Sequence, residues 1–127
     1  MSKEYSSKQI EKYKRQKYIS ALNKCTKNLY KIFKDNSTTY EYFKSKFMAL
    51  IDELNNLEEV RLNTHHSKKT KEYIEELYNS TINNKSFGES DFLDIKSIEI
   101  TKLNRLQKLK NRTKYARTKY KNNPLED

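Results

Sequence analysis

Glycine and proline are almost missing from this chain: Gly88 and Pro124 are the only ones among 127 residues. Sheets joined by tight hairpins draw on both residues at their turns, whereas long helices need neither. The shortage also removes catalytic templates. The phosphate-wrapping loop of nucleotide hydrolases needs two glycines, the dinucleotide fingerprint three, and the Gly-x-Ser-x-Gly elbow two around its nucleophile. None can be drawn here, so no enzyme and no cofactor is expected. Cys25 is the only cysteine. A disulfide within the chain is ruled out, in keeping with a reducing compartment. Long apolar runs are missing too. The longest, residues 47–51, falls far short of the roughly 20 residues a membrane span requires, and no apolar stretch follows the basic N-terminus as it would in a secretory signal. The sequence reads as soluble and cytoplasmic, or as carried inside a virion, with no membrane partner.

Acidic residues are the fourth absence, and it is local. Residues 101–125 hold none, against nine bases: Lys102, Arg105, Lys108, Lys110, Arg112, Lys114, Arg117, Lys119 and Lys121. Tyr115 and Tyr120 lie among them, in the near-repeat Thr113-Lys114-Tyr115 and Thr118-Lys119-Tyr120. Such a segment repels itself unless an anion neutralises it. The whole chain carries +10, with basic ends around a mildly acidic middle. Lys outnumbers Arg 22 to 5, and Asn is abundant. AT-rich codons specify Lys, Asn, Ile and Tyr, so the coding favours an AT-rich genome such as that of a phage or mobile element.

Only 34% of the residues are apolar, and ten of those are Tyr, so one modest core is expected. Apolar spacing places it. Ser6-x-x-Gln9 is a capping box, followed by Tyr18, Leu22, Cys25, Leu29 and Ile32 at intervals of 4, 3, 4, 3, with Ile10 and Tyr13 extending that face. Thr38-x-x-Glu41 is a second box. It opens Tyr40, Phe43, Phe47, Leu50, Leu54 and Leu57, the most regular stripe in the chain. The short connection through Asp35-Asn36-Ser37 predicts an antiparallel helical hairpin. A shorter helix is expected from about Thr70 to Asn83, after a loop over residues 63–67. A hinge near Gly88 follows, and then a long last helix capped by Ser90 or Asp91. The fold class is thus all-α: a helical bundle core over residues 1–109 and a basic helical extension over 110–127. The one competing local reading is a two-stranded ribbon of Val60-Arg61-Leu62 and Ile98-Glu99-Ile100, both of which alternate apolar and charged residues. A lone ribbon is marginal in water.

Candidate chemistry is sparse. His65 and His66 are adjacent, so their side chains diverge and make a poor chelating pair; they read as members of a polar loop. Cys25 sits on an apolar stripe and reads as core. Carboxylates such as Glu72, Glu75 and Glu76 read as a solvated helix face. No metal site is expected. The basic segment is what remains. On a helix, Lys110, Lys114, Arg117 and Lys121 form one stripe, and Lys108, Arg112, Tyr115 and Lys119 the adjoining one. Lys102 and Arg105 precede them. Tyr120 falls on the remaining strip, and helix one adds Lys8, Lys12 and Arg15. Lys and Arg interleaved with Tyr suit phosphates and stacked bases. The expected function is a non-enzymatic, largely sequence-tolerant nucleic-acid-binding accessory protein. The alternative is a structural or assembly subunit docking on a larger protein complex, with homo-oligomers as a further option. Residues 110–123 have few apolar groups to offset the roughly 1–2 kcal/mol per residue of backbone ordering. Trypsin is therefore expected to cut the free protein first between Lys110 and Lys121, and a bound polyanion to slow that cut selectively; equal resistance there and in the second helix would contradict this.

Overall fold

The computed structural model describes residues 6–121, with side chains described as far as Arg112. Four helices follow in order: α1 (Ser7–Lys34), α2 (Tyr40–Asn55), α3 (His65–Thr81) and α4 (Glu89–Lys121). There is no strand among the described residues. The architecture is an all-α small bundle. The ribbon reading fails because residues 98–100 belong to α4, while Val60 to Leu62 form the connection before α3.

Each helix start is fixed locally. The Ser6 hydroxyl accepts from the Gln9 amide at 3.2 Å, and the Gln9 side chain accepts from the Ser6 amide at 3.0 Å, completing the expected box. At α2 the cap is Thr39 rather than Thr38: Thr39 Oγ1 accepts from the Tyr42 amide, and Thr38 is buried instead. Helix α3 begins five residues earlier than its apolar pattern suggests. Thr64 is the reason, since its Oγ1 accepts from the Ser67 amide at 3.1 Å and satisfies a free first-turn donor. The stretch read as a loop over 63–67 is therefore mostly helix, with His66 and Ser67 buried. Helix α4 starts at Glu89, ahead of the proposed Ser90 or Asp91 cap. Asp91 still serves its N-terminus, accepting from the Gly88 amide at 2.9 Å.

Ion pairs record the helix directions. Lys24 meets Glu53 at 3.1 Å, and Lys14 meets Glu58. Glu58 lies just past the end of α2. Within the helices, Phe33 near the end of α1 meets Phe43 near the start of α2, and Lys24, further back on α1, meets Glu53 near the end of α2, the order of an antiparallel pair. Lys96 Nζ donates to the Asp35 carbonyl at 2.7 Å, which sets the first part of α4 beside the end of α1, so α4 also runs back along α1. Helix α1 packs against all three others. Its stripe of Tyr18, Leu22, Cys25, Leu29 and Ile32 is buried, joined by Phe33. Ile10 and Tyr13 do not extend the core; they are 43% and 64% exposed, because α1 continues beyond the helices that cover its middle.

An aromatic cluster closes the end of the bundle where α1 turns into α2. Phe43 lies 5.4 Å from Phe33, 5.4 Å from Phe47 and 5.1 Å from Phe92, ring centre to ring centre. Offset aromatic pairs at such spacings add to the area they bury. Phe92, fully buried, anchors α4 there. Leu103 is the next buried apolar residue along α4, while Leu106 and Leu109 are only partly covered. Between these anchors α4 buries Glu99, which accepts from the Tyr73 hydroxyl at 2.9 Å and pairs with Lys102 at 3.2 Å. A buried carboxylate with both oxygens partnered avoids the cost of an unsatisfied charge.

Candidate nucleic-acid interface

Helix α4 carries the basic segment, and its bases divide by what they already touch. Lys102 is held by Glu99 and contributes to the bundle itself. Arg105, Lys108, Lys110 and Arg112 are exposed and make no ion pair among the described residues. The side chains of Lys114, Tyr115, Arg117, Lys119, Tyr120 and Lys121 lie outside the described residues, though the helix continues through them. It crosses residue 109 without a break, so the expected division between core and extension falls inside one helix.

On α1, Lys8 and Lys12 are exposed near the helix start. Arg15 is partly covered, and its Nε donates to the Arg61 carbonyl at 2.9 Å, fixing the α2–α3 connection against α1 while its charge meets no carboxylate among the described residues. The sequence reading passed over a second set of α1 bases. No acid occurs between Glu11 and Asp35, and Lys24, Lys27 and Lys31 recur at intervals of 3 and 4, one face of a helix. The signal was there in the spacing; what the sequence lacked was the knowledge that this face borders α4.

The two faces meet in a groove of about 780 Å³ along the α1–α4 seam. Lys27, Lys31 and Lys110 line it together with Asn104, Gln107 and Tyr30, and no Asp or Glu does. Lys24 also borders the groove but reaches over to Glu53. The opposite flank of α4 is different. The smaller furrow against α3 mixes Lys69, Lys102 and Arg105 with Glu72 and Glu76, so it neutralises itself. Of these two flanks of α4, the one toward α1 is the one whose lining holds bases and no carboxylate.

His66 forms part of the groove's floor. The Thr70 hydroxyl donates to the His66 carbonyl at 2.7 Å and stands 3.2 Å from Nε2. With its proton directed at that carbonyl, the hydroxyl can accept from an Nε2–H. Burial, and then the nearby Lys110 charge, hold the imidazole below its ordinary value of 6.5. The consequence for stability has a definite sign. Below about pH 6.5 the unfolded chain takes up this proton before the folded one does, so stability present at neutral pH is lost as pH falls through the lowered folded value. Melting temperature should therefore drop between pH 7 and pH 5 more steeply in the wild type than in His66→Gln, which cannot titrate. Identical pH profiles would show that His66 is not held neutral.

Cys25 is fully buried, and burial pushes its thiol up to about 12; a nucleophilic cysteine needs the reverse shift. Among the described residues, no three or more His, Cys, Asp or Glu side chains cluster so as to hold a metal ion, and no helix is long and apolar enough to cross a membrane. Comparison with known proteins finds no family model, no curated protein and no solved structure that matches this chain.

Proposed function

We propose that this protein is a non-enzymatic, largely sequence-tolerant nucleic-acid-binding accessory protein. The observation that carries the reading is the acid-free run of nine bases over residues 101–125, carried into helix α4 and bordered by the uncompensated lysines of α1. Affinity comes from ammonium and guanidinium groups displacing counterions from phosphates, a term blind to sequence. Tyr115 and Tyr120, spaced among the bases, supply rings on which any base can stack. Sequence-specific reading of a duplex is not part of the proposal, since that task uses side chains aimed at base edges from a helix seated in the major groove.

The test is binding of fluorescent mixed-sequence DNA and RNA at about 50 mM salt, where phosphate contacts are strong. Sequences of different composition should bind within a few-fold of one another. Absence of binding at that salt would overturn the proposal in favour of a structural or assembly subunit whose basic ends meet acidic protein.

A further inference from the structure

We infer that the α1–α4 groove is built for one strand of nucleic acid, its phosphates along Lys27, Lys31 and Lys110 and its bases turned toward Asn104, Gln107 and Tyr30. The inference rests on the nucleic-acid reading above and gives it a place and a preferred form of ligand. Three features of the groove support it.

The first is charge. The ammonium groups of Lys27, Lys31 and Lys110 make no ion pair or hydrogen bond with any described residue. They line a concave surface that contains no carboxylate, whereas the furrow on the other flank of α4 carries Glu72 and Glu76. A polyanion gains attraction in the first and meets mixed charge in the second.

The second is width. Packed helix axes lie about 8–10 Å apart. A B-form duplex, whose major groove alone is about 12 Å wide, is too thick to enter a furrow between two such helices. A single strand enters edge-on. Along α1 the lining runs from Ser20 to Lys31. At about 1.5 Å per residue that is about 17 Å, room for about five phosphates at the duplex spacing of about 3.4 Å per strand and for fewer when the strand is extended.

The third is the chemistry of the other lining residues. Asn104 and Gln107 are exposed amides on one turn of α4, Gln107 donating to Asn111 Oδ1 at 3.2 Å and keeping its carbonyl oxygen for a ligand, and Asn23 lines the groove from α1. Amides both donate and accept, so they suit the unpaired edges of any base. Tyr30 adds a partly exposed ring, with Lys34 5.4 Å from its centre. In a duplex the Watson–Crick edges are already paired, and such amides are left only the edges exposed in the grooves. Single-stranded binding sites elsewhere combine the same parts, a basic groove with aromatic platforms.

The experiment compares a mixed-sequence single-stranded oligonucleotide of about 15 residues, as DNA and as RNA, with the blunt duplex of the same sequence. It uses the full chain, and two variants of equal charge loss: Lys27→Gln/Lys31→Gln/Lys110→Gln in the groove, and Lys44→Gln/Lys46→Gln/Lys85→Gln elsewhere on the exposed surface. Unchanged helical circular dichroism and melting temperature verify that both variants fold. Single strands should bind the wild type at least about tenfold more tightly than the duplex. The groove variant should lose about 100-fold in single-strand affinity at about 0.1 M salt, the loss expected for three phosphate contacts, and should lose the preference as well. The control variant should keep the preference. A thiouridine-substituted strand should crosslink to peptides of α1 and α4 that border the groove. Equal or tighter duplex binding, or equal losses in the two variants, overturns the groove assignment and leaves nucleic-acid binding standing. A poly-glutamate peptide bound as tightly as the oligonucleotide, and lost in the same groove variant, assigns the groove to an acidic protein and overturns it too. Absence of any nucleic-acid binding at about 50 mM salt removes the proposed function and this inference together.

Discussion

Phe47→Ala should destabilise the protein by about 3–5 kcal/mol, the range for truncating a large buried aromatic. Phe47 is fully buried on α2, 5.4 Å from the Phe43 ring and 5.7 Å from Tyr78 of α3. Alanine there removes the apolar surface that joins the α1–α2 hairpin to α3 and leaves a cavity whose walls belong to helices already pinned by Phe33 and Phe92. Partial collapse is thereby limited, which favours the upper part of the range. The chain's low apolar content makes a loss of that size a large fraction of a typical total of about 5–15 kcal/mol. Tyr42→Ala, on the 52% exposed side of the same helix, should change stability by no more than about 0.5 kcal/mol. Urea unfolding of the two variants checks the pair. A cost below about 1 kcal/mol for Phe47→Ala would mean that its ring is not part of a shared core.

Replacing Lys110, Lys114, Arg117 and Lys121 together by Gln should weaken binding to every nucleic acid by about 10³-fold at about 0.1 M salt. Four neutralised phosphates change the log–log salt slope on a duplex by about three to four units, and that slope converts to the quoted loss on going from about 1 M to about 0.1 M salt. All sequences should be affected alike, because phosphate contacts carry no sequence information. Helix content should stay at or above the wild-type level, since the substitutions remove like charges at i and i+4 that oppose a helix. A variant with unchanged affinity would move the interface off the C-terminal half of α4.

Where the sequence was legible, local rules and tertiary packing agreed. The stripes from Tyr18 to Ile32 and from Phe43 to Leu54 are buried as their 3–4 spacing requires, and the Ser6 box closes as its residue types dictate. The misreadings have particular causes. Thr64 begins α3 through a hydroxyl cap, but His65 and His66 behind it resemble a loop, and His66 becomes buried only because other helices meet over it. Helix α4 misleads more thoroughly. Leu93 and Ile98 are more than half exposed, while Phe92 and Glu99 are inside. The face that packs is Phe92, Ile95, Glu99, Leu103 and Leu106 at intervals of 3, 4, 4 and 3, a stripe that the carboxylate of Glu99 interrupts and the exposed Leu93 and Ile98 disguise. The basic segment was plain in the sequence, yet half of the groove was not. Lys27 and Lys31 carry a readable spacing on α1, but which helix they face is set by the antiparallel course of α4, a fact of packing alone.

The salt dependence of binding tests the central claim most directly. With about 6–9 phosphates neutralised, the logarithm of the binding constant should fall against the logarithm of salt concentration with a slope of about −5 to −8 on a mixed-sequence duplex and about −4 to −6 on a single strand. The slope should be the same for sequences of different base composition. A slope between zero and about −2 on both forms would contradict the account, because apolar docking rather than phosphate neutralisation would then be holding the complex.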